Sequence, residues 1–257
     1  MNNRIEFMGL PGSGKTTLYN MILNEAQSSN LVLGDYHHLF KQGLKNKYKR
    51  GSKKRYAEFL LANICLRGGY MPLVEYNEQI TDFIINNHST WKEFTNLIFM
   101  SEDTSRLNFL LRDNLIGIAR WGIIEDYVDE KFDFILMDEG FSHRIVDMSI
   151  PTYNKNIEMN IENIFLAIGF PSIVVNITCD VEECISRMKK RYEGVPESYR
   201  MWSENEVKMK FLKKKEFIEY LIPILESFGC KVITVKNDNL ETAKNKIIYN
   251  IKLLYKS

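Results

Sequence analysis

Five short apolar runs alternate along the chain with longer segments in which apolar residues recur at helical spacing. We predict a β-strand at each run: RIEFM (4–8), LVL (31–33), FDFILM (132–137), SIVVNIT (172–178) and CKVITV (230–235). Strands that alternate with helices favour a parallel sheet covered by helices on both faces. The pattern therefore predicts an α/β fold, with the polar residues that follow the strands gathered at one edge of the sheet.

The segments between the runs predict helices. Residues 15–26 show a helical pattern directly after the first strand. Helical spacing also appears in residues 56–66 and 106–128, which belong to a long segment, 41–131, between the second and third strands. We expect residues 1–257 to form a single domain in which 41–131 is a helical insertion that binds the substrate.

The overall composition excludes several classes of protein. The 257 residues are 45% hydrophobic, and 34 basic residues balance 33 acidic ones, so no global charge draws the chain to nucleic acid or to a membrane. The sequence has no signal-peptide pattern and no apolar stretch of about 18 residues, so we expect a cytoplasmic protein. The cysteines lack the C-x-x-C spacing of zinc or redox sites, and we interpret them as core residues: Cys65, Cys179, Cys184 and Cys230.

The strongest motif directly follows the first strand, where residues 9–16 read GLPGSGKT. Its glycines allow backbone angles that a Cβ forbids, so consecutive N–H groups can surround an anion. The lysine suits the outer phosphates of a nucleotide, and the first threonine suits Mg²⁺ coordination. A strand before the loop and a helix after it complete the context of the G-x-x-x-x-G-K-[ST] motif. We predict that a nucleotide contacts Gly9, Pro11, Gly12, Ser13, Gly14, Lys15, Thr16 and Thr17, with Lys15 in a catalytic role and Thr16 as a metal ligand.

Two acidic residues, Asp138 and Glu139, follow the third strand. In a chain that has a phosphate-binding loop, an acid at this position typically holds Mg²⁺ through water. We therefore predict that Asp138 is a metal ligand together with Thr16. Glu139 has two alternative roles, because it either orients a nucleophile or pairs with Arg144 and holds the loop.

A further acid, Asp35, follows the second strand and is expected on the acceptor side of a γ-phosphate. There its carboxylate would accept the proton of a substrate hydroxyl as that hydroxyl attacks phosphorus. The alternative is structural, because Asp is favoured at the N-cap of a helix and a helix is predicted from about Tyr36. The sequence is compatible with both roles.

Two arginines, Arg187 and Arg191, are predicted on one face of a helix that begins near Val181. Both guanidinium groups would then reach the same polyanion, and a solvated basic face is the alternative. A segment with Gly and Pro follows and breaks the helix, so we predict a lid loop at residues 192–203.

These motifs resemble those of P-loop kinases of the nucleoside-monophosphate kinase-like branch, thymidylate kinases in particular. The resemblance depends on the GLPGSGKT loop, the acid after the third strand, and Asp180 followed by Arg187 and Arg191. It covers residues 1–40 and 132–257. It implies a three-layer P-loop NTPase fold with five parallel strands in the order 2-3-1-4-5.

The same resemblance implies roles for individual residues. In the family, an arginine at the position of Arg187 and the lid arginines contact donor phosphates, and the arginine at the position of Arg191 often stacks on adenine. A polar loop after the fifth strand lies beside the adenine, which implicates Asn237. Gly34 and Asp35 are similar to a segment of gluconate and adenylylsulfate kinases in which the acid faces the acceptor. One departure is that thymidylate kinases usually carry Arg directly after the third-strand acid, whereas Arg144 is displaced here.

Residues 41–56 form a basic stretch with eight basic and no acidic residues. It either holds an anionic acceptor or a nucleic-acid backbone, or it is a solvated connector. Because this is the one basic patch that the sequence indicates, nucleic acid is not the favoured partner. No membrane association and no particular oligomeric state are predicted.

Together these features predict a Mg²⁺-dependent kinase that transfers the γ-phosphoryl group of ATP to a nucleotide, a nucleoside or another hydroxyl or phosphate acceptor. The acceptor is expected to be an anionic small molecule, and the cofactors ATP and Mg²⁺. The alternative is a P-loop ATPase or a nucleotide-gated module that binds nucleic acid or a protein partner. The expected catalytic residues are Lys15, Asp35, Asp138, Glu139, Arg187 and Arg191.

Overall fold

The computed structural model describes residues 3–26, 31–50, 77–99, 104–149, 157–191, 195, 197–200 and 202–256. Within these residues, five strands form one sheet in the order β2-β3-β1-β4-β5, and all neighbouring pairs are parallel. The strands are β1 (Arg4–Gly9), β2 (Leu33–Asp35), β3 (Phe134–Met137), β4 (Ile173–Thr178) and β5 (Lys231–Lys236). The α/β fold and the strand order predicted from the sequence are confirmed.

Helices cover both faces of the sheet. In chain order they are α1 (Lys15–Ala26), α2 (Tyr36–Arg50), α3 (Asn77–Asn86), α4 (His88–Phe99), α5 (Thr104–Tyr127), α6 (Phe141–Ser149), α7 (Ile157–Ile168), α8 (Val181–Lys189), α9 (Glu197–Arg200), α10 (Glu204–Ser227) and α11 (Leu240–Lys256). Apolar residues of α1 and α11 pack with Ile5 and Phe7 of β1 on one face. Apolar residues of α2, α5, α6, α7 and α10 pack on the other face. The protein therefore has three layers, with the sheet in the middle.

The second strand lies slightly later in the chain than predicted. Its residues Leu33 to Asp35 pair with β3, whereas Leu31 precedes the strand and is buried in the core beside α1. Gly34 is required in this strand, since a Cβ there would lie 2.6 Å from Leu39 Cδ1 and 3.1 Å from the ring of Phe132. The strand consequently delivers Asp35 to its carboxyl end, at the start of α2.

The middle of the chain is helical where it is described. The pattern predicted over 106–128 corresponds to α5, and the one over 56–66 lies outside the described residues. Residues 41–50 of the basic stretch belong to α2 and are not a connector, because Lys47 pairs with Glu78 at 2.9 Å and Arg50 with Asp129 at 3.0 Å. Among the helices that the structure describes, none combines the length and apolar character needed to cross a membrane.

A smaller cluster lies beside the main core. Leu10 of the phosphate-binding loop packs there with apolar residues of α8, α9 and the first turns of α10, including Tyr199 and Phe211. Ser203 begins α10 with a capping box, in which its side chain and that of Glu206 bond reciprocally to backbone N–H groups. Of the predicted lid, residues 192–194, 196 and 201 lie outside the described residues.

Candidate functional site

The loop that follows β1 has the backbone geometry predicted for an anion site. Gly9, Gly12 and Gly14 have φ values of 149°, 84° and 93°, in the region that favours glycine. A Cβ at Gly12 would collide with the carbonyl oxygen of Cys184, and one at Gly14 with the side chain of Asn237. Both the angles and the close neighbours therefore require glycine at these positions.

The polar groups of the loop are buried and only partly satisfied. Lys15 Nζ donates hydrogen bonds to the carbonyl oxygens of Gly9 at 3.1 Å and Leu10 at 3.2 Å. Burial lowers the pKa of Lys15, although the Glu139 carboxylate raises it. Ser13 Oγ is buried and has no hydrogen-bond partner among the described residues. A buried hydroxyl without a partner fits a site in which a ligand completes the hydrogen bonding.

The first helical threonine meets the acid that follows β3. Thr16 Oγ1 donates a hydrogen bond of 2.8 Å to Asp138 Oδ2, while Asp138 Oδ1 is buried and has no partner among the described residues. Burial raises the pKa of Asp138, and the hydrogen bond from Thr16 opposes that shift. A hydroxyl and a carboxylate side by side are oxygen ligands of the kind that Mg²⁺ prefers. The residues present at this position therefore fit a Mg²⁺ ion.

Asp35 has the structural role that the sequence offered as an alternative. Its Oδ1 accepts hydrogen bonds from the backbone N–H groups of His37 at 2.7 Å and His38 at 3.1 Å, which is an N-cap of α2. Burial and the neighbouring Asp35 carboxylate raise the pKa of Tyr19. The helix cap does not exclude a catalytic role for Asp35, because the cap uses only one carboxylate oxygen, Oδ1.

Glu139 does not pair with Arg144. The Arg144 guanidinium instead bonds the Asp113 side chain and, at 2.8 Å, the Asp113 carbonyl oxygen, both on α5. Glu139 lies 3.7 Å from His143 Nε2, one helical turn later. Burial raises the pKa of Glu139, but His143 and Lys15 outweigh that effect, so its pKa is lowered. Although its surroundings desolvate it in part, the Glu139 side chain is 61% accessible, so its carboxylate reaches solvent.

The two arginines after β4 do not share a helical face. Helix α8 ends at Lys189 and is capped by Lys190, so Arg191 lies beyond the helix with an exposed side chain. Arg187 is held by Glu183 at 2.7 Å and by the backbone carbonyl of Asn237 at 3.4 Å. The structure thus brings Arg187, but not Arg191, into contact with the loop after β5.

Asn237 connects that loop to the phosphate-binding loop. Its Nδ2 donates a hydrogen bond of 2.6 Å to the Ser13 carbonyl oxygen, and its side chain is buried. The predicted position of Asn237 beside a nucleotide is compatible with this contact. The Thr17 side chain makes no hydrogen bond among the residues that the structure describes, and Pro11 has no hydrogen-bonding group in its side chain.

A buried ion pair under the site was not predicted. Glu6, in the middle of β1, accepts a hydrogen bond from Arg4 Nε at 3.1 Å and two from Ser142, at 2.8 Å from N and 2.7 Å from Oγ. A Cβ at Gly140 would lie 2.6 Å from Glu6 Oε2. Glu6 therefore fixes the first turn of α6 directly after Asp138. The sequence does contain a sign of this ion pair, because two charged residues lie in a central strand, and such strands are normally continuous apolar runs.

A second unpredicted cluster of charged and polar groups joins α6 to α10. His143 Nε2 is 3.6 Å from Asp147, and Asp147 forms an ion pair with Lys214 of α10. Burial lowers the pKa of His143 to about 4, and the Lys15 charge acts in the same direction. The imidazole is therefore neutral near pH 7.

Comparisons with known proteins support the fold. No protein-family model matches the sequence, and no match is found among curated protein sequences. The chain is similar in structure to deoxyadenosine kinase from M. mycoides with bound dATP, at 12% identity, with 97% of this chain and 99% of that chain covered and a TM-score of 0.50. The same kinase with bound dCTP gives 12% identity, coverages of 97% and 98%, and a TM-score of 0.49. This likeness shows that the chain shares its fold with that kinase, and the thymidylate kinase-like branch implied by the sequence is not confirmed.

Proposed function

We propose that the protein is a Mg²⁺-dependent kinase that transfers the γ-phosphoryl group of ATP to a hydroxyl or phosphate group of a small molecule. The observation that carries this proposal is the 2.8 Å hydrogen bond between Thr16 Oγ1 and Asp138 Oδ2. It joins the end of the glycine loop to the acid after β3, and P-loop enzymes hold Mg²⁺ with this pair of groups. Thr16 and Asp138 would hold the Mg²⁺ ion, which would neutralise part of the charge of the phosphates.

The loop would bind the phosphate tail. Its backbone N–H groups, with the N-terminus of α1, present partial positive charge to an anion. Lys15 would exchange its bonds to the Gly9 and Leu10 carbonyl oxygens for bonds to phosphate oxygens. Arg187 would lie on the nucleotide side, and its contact with the Asn237 carbonyl oxygen supports this role. Positioning and charge neutralisation are the main sources of catalysis in such a reaction.

Two carboxylates are candidates for the base that accepts the proton of the acceptor. Asp35 follows β2 and caps α2 with one oxygen. Glu139 is exposed and its pKa is lowered, since His143 and Lys15 outweigh the effect of burial, so it is ionised near pH 7. Between α2 and α5, the guanidinium of Arg120 lies 5.0 Å from the Phe40 ring, and its Nε is buried without a partner among the described residues. A substrate with an anionic group, or with another strong hydrogen-bond acceptor, would satisfy the Nε–H donor of Arg120.

The test is acceptor-dependent release of ADP from Mg-ATP. The panel starts with deoxynucleosides, because the similar folds are deoxyadenosine kinases, and extends to nucleoside monophosphates and sugars. We expect Lys15→Ala to abolish transfer without unfolding the protein. Lys244→Ala is the matched control, because Lys244 is a buried lysine of α11 that pairs with Glu25 in the last turn of α1, whereas Lys15 is the first residue of that helix. Full transfer by Lys15→Ala would contradict the proposal.

The main alternative is hydrolysis of ATP without an acceptor. Glu139 follows Asp138 directly and is exposed, and in this alternative it would polarise the attacking water. Brisk turnover without an acceptor, stimulated by nucleic acid or a protein, would replace the kinase proposal with a nucleotide-gated module.

A further inference from the structure

Helix α8 begins with two cysteines in contact. Asp180 is the N-cap of the helix, so Cys179 is the residue before the cap and Cys184 is the fourth residue of the helix. Side chains at these two positions often pack against each other, in the arrangement called a hydrophobic staple. Here Cys179 packs against the apolar cluster that contains Cys184, and the two thiols share a hydrogen bond. The start of the helix therefore holds two thiols side by side.

The two thiols differ in their access to solvent. Cys184 is fully buried, and burial, together with the neighbouring Cys179, raises its pKa, so it is a neutral thiol near pH 7. Cys179 is only partly buried. An accessible cysteine beside a second one that can resolve it is the usual arrangement of a pair that oxidises to a disulfide. An oxidant from solvent would therefore reach Cys179 first.

The backbone of Cys184 supports the phosphate-binding loop. A Cβ on Gly12 would collide with the Cys184 carbonyl oxygen and would lie 3.1 Å from its carbonyl carbon and 3.3 Å from its Cα. No space separates the two backbones, so a displacement of the first turn of α8 must also move Gly12. The same helix carries Arg187, which contacts the Asn237 carbonyl oxygen at 3.4 Å. Helix α8 is thus joined to the candidate nucleotide site at two places.

We propose that Cys179 and Cys184 are a modification site, which a peroxide closes into a disulfide, and that this disulfide weakens the binding of a nucleotide to the phosphate-binding loop. The loss of affinity rests on the proposed nucleotide-binding function, whereas formation of the disulfide does not. The coupling between the two follows from the contact of Cys184 with Gly12.

The reaction has two steps. Cys179, as its thiolate, attacks a peroxide oxygen, so that an S–O bond forms, the O–O bond breaks and the released hydroxide takes up a proton, which leaves a sulfenic acid. The Cys184 sulfur then attacks the Cys179 sulfur and loses its proton, so that the S–S bond forms, the S–O bond breaks and a second water leaves. The two thiols lose two electrons and two protons in total, and hydrogen peroxide is reduced to two water molecules.

Closure of the disulfide changes the position of the first turn of α8. A disulfide bond is about 2.05 Å long, which is shorter than a hydrogen bond between two thiols, so Cys184 is drawn toward the end of β4. Gly12 cannot keep its contact unchanged, and we expect ATP affinity to fall about tenfold. Because such coupling is reciprocal, saturating Mg-ATP should stabilise the reduced pair and raise its reduction potential by about 30 mV.

The experiment treats the folded protein with hydrogen peroxide and measures the disulfide and the ATP affinity separately. Trypsin releases both cysteines in one peptide, residues 156–187, which contains no other cysteine. After oxidation we expect this peptide to be lighter by two hydrogen atoms and closed to alkylation, and after dithiothreitol to be alkylated twice. A calorimetric titration with Mg-ATP should show about tenfold weaker binding by the oxidised protein, and dithiothreitol should restore it.

Two variants are the matched controls. Cys179→Ser cannot form the disulfide but keeps the backbone contact between Cys184 and Gly12, so peroxide should leave its ATP affinity unchanged. Cys230→Ala removes a buried cysteine that directly precedes β5, and it should respond to peroxide as the wild type does. An equal loss of affinity in oxidised Cys179→Ser, or no loss in oxidised Cys230→Ala, would assign the effect to other residues and overturn the inference.

The remaining outcomes separate this inference from the proposed function. If peptide 156–187 of the oxidised protein is still alkylated twice, or carries only sulfinic or sulfonic acid, the disulfide is wrong. If the disulfide forms and ATP affinity does not change, the coupling is wrong although the proposed function stands. If the reduced wild type binds no nucleotide, the proposed function and the predicted loss of affinity are both wrong, while the mass of the peptide still decides whether the disulfide forms.

Discussion

Replacement of His143 by glutamine tests the buried polar cluster of the site through the pH dependence of stability. The imidazole is 5% exposed and lies 3.7 Å from Glu139 and 3.6 Å from Asp147. Burial, with the charges of Lys15 and Lys214, lowers its pKa to about 4 despite the two carboxylates. The folded protein therefore holds this histidine neutral at pH values where the unfolded chain protonates it.

The sign and size of the effect follow from linkage. Between pH 6.5, the ordinary pKa of the group, and about 4, the unfolded state binds more protons at His143 than the folded state does. Stability therefore falls as the pH falls through that window. At roughly 1.4 kcal/mol per pKa unit, the full contribution of this one group is about 3 kcal/mol.

The assay is urea unfolding of the wild type and of His143→Gln at several pH values between 7.5 and 4. Other groups titrate in both proteins, so the informative quantity is the difference between the two curves. We expect the wild type to lose about 3 kcal/mol more stability on acidification than the variant does. Parallel curves would refute the reasoning, because they would show that His143 has the same proton affinity in the folded and unfolded states.

Three further substitutions test other parts of the structure. Gly14→Ala places a Cβ against Asn237 at a φ of 93°, so we expect ATP affinity to fall at least about tenfold; a calorimetric titration with unchanged affinity would be inconsistent with the loop geometry. Glu6→Gln leaves the buried charge of Arg4 unpaired, so the free energy of unfolding in urea should fall by about 3 kcal/mol. An unchanged free energy of unfolding would show that the ion pair is dispensable. Asp35→Asn keeps the helix cap, so melting should change little; a fall in transfer rate of about 100-fold would identify Asp35 as the base, and an unchanged rate would exclude it.

The features that could be predicted from the sequence depend on local patterns. The glycine loop, the helix that follows it and the five strands are each encoded within a few consecutive residues. The meeting of Thr16 and Asp138 was also predictable, although the two residues are far apart in sequence. Parallel strands end at the same edge of a sheet, so the order of the strands determines which residues meet there.

The features that could not be predicted depend on helix boundaries and on contacts between distant residues. Arg187 and Arg191 have helical spacing, but the cap at Lys190 ends the helix between them. A pair between Arg144 and Glu139, which are near in sequence, was one of the two alternatives for Glu139. Arg144 packs instead against α5, where Gly117 leaves room for it. Such pairings depend on how two helices pack, and no short stretch of sequence encodes that.

The buried charged residues could have been identified in part from the sequence. Lys214 interrupts an apolar helical face, and Arg4 and Glu6 interrupt a central strand. Each is a polar residue at a position where the pattern calls for an apolar one. The pattern identifies the anomaly, but only the structure identifies the partners, Asp147 and Ser142.

The central claim is that the loop beginning at Gly9 surrounds the phosphate tail of a nucleotide. Its most direct test is a calorimetric titration of Mg-ATP into the folded wild-type protein and into folded Lys15→Ala. The account predicts binding by the wild type, and affinity reduced by at least about tenfold in Lys15→Ala or when Mg²⁺ is omitted. The absence of binding by the folded wild type, or equal affinity in the two proteins, would contradict it.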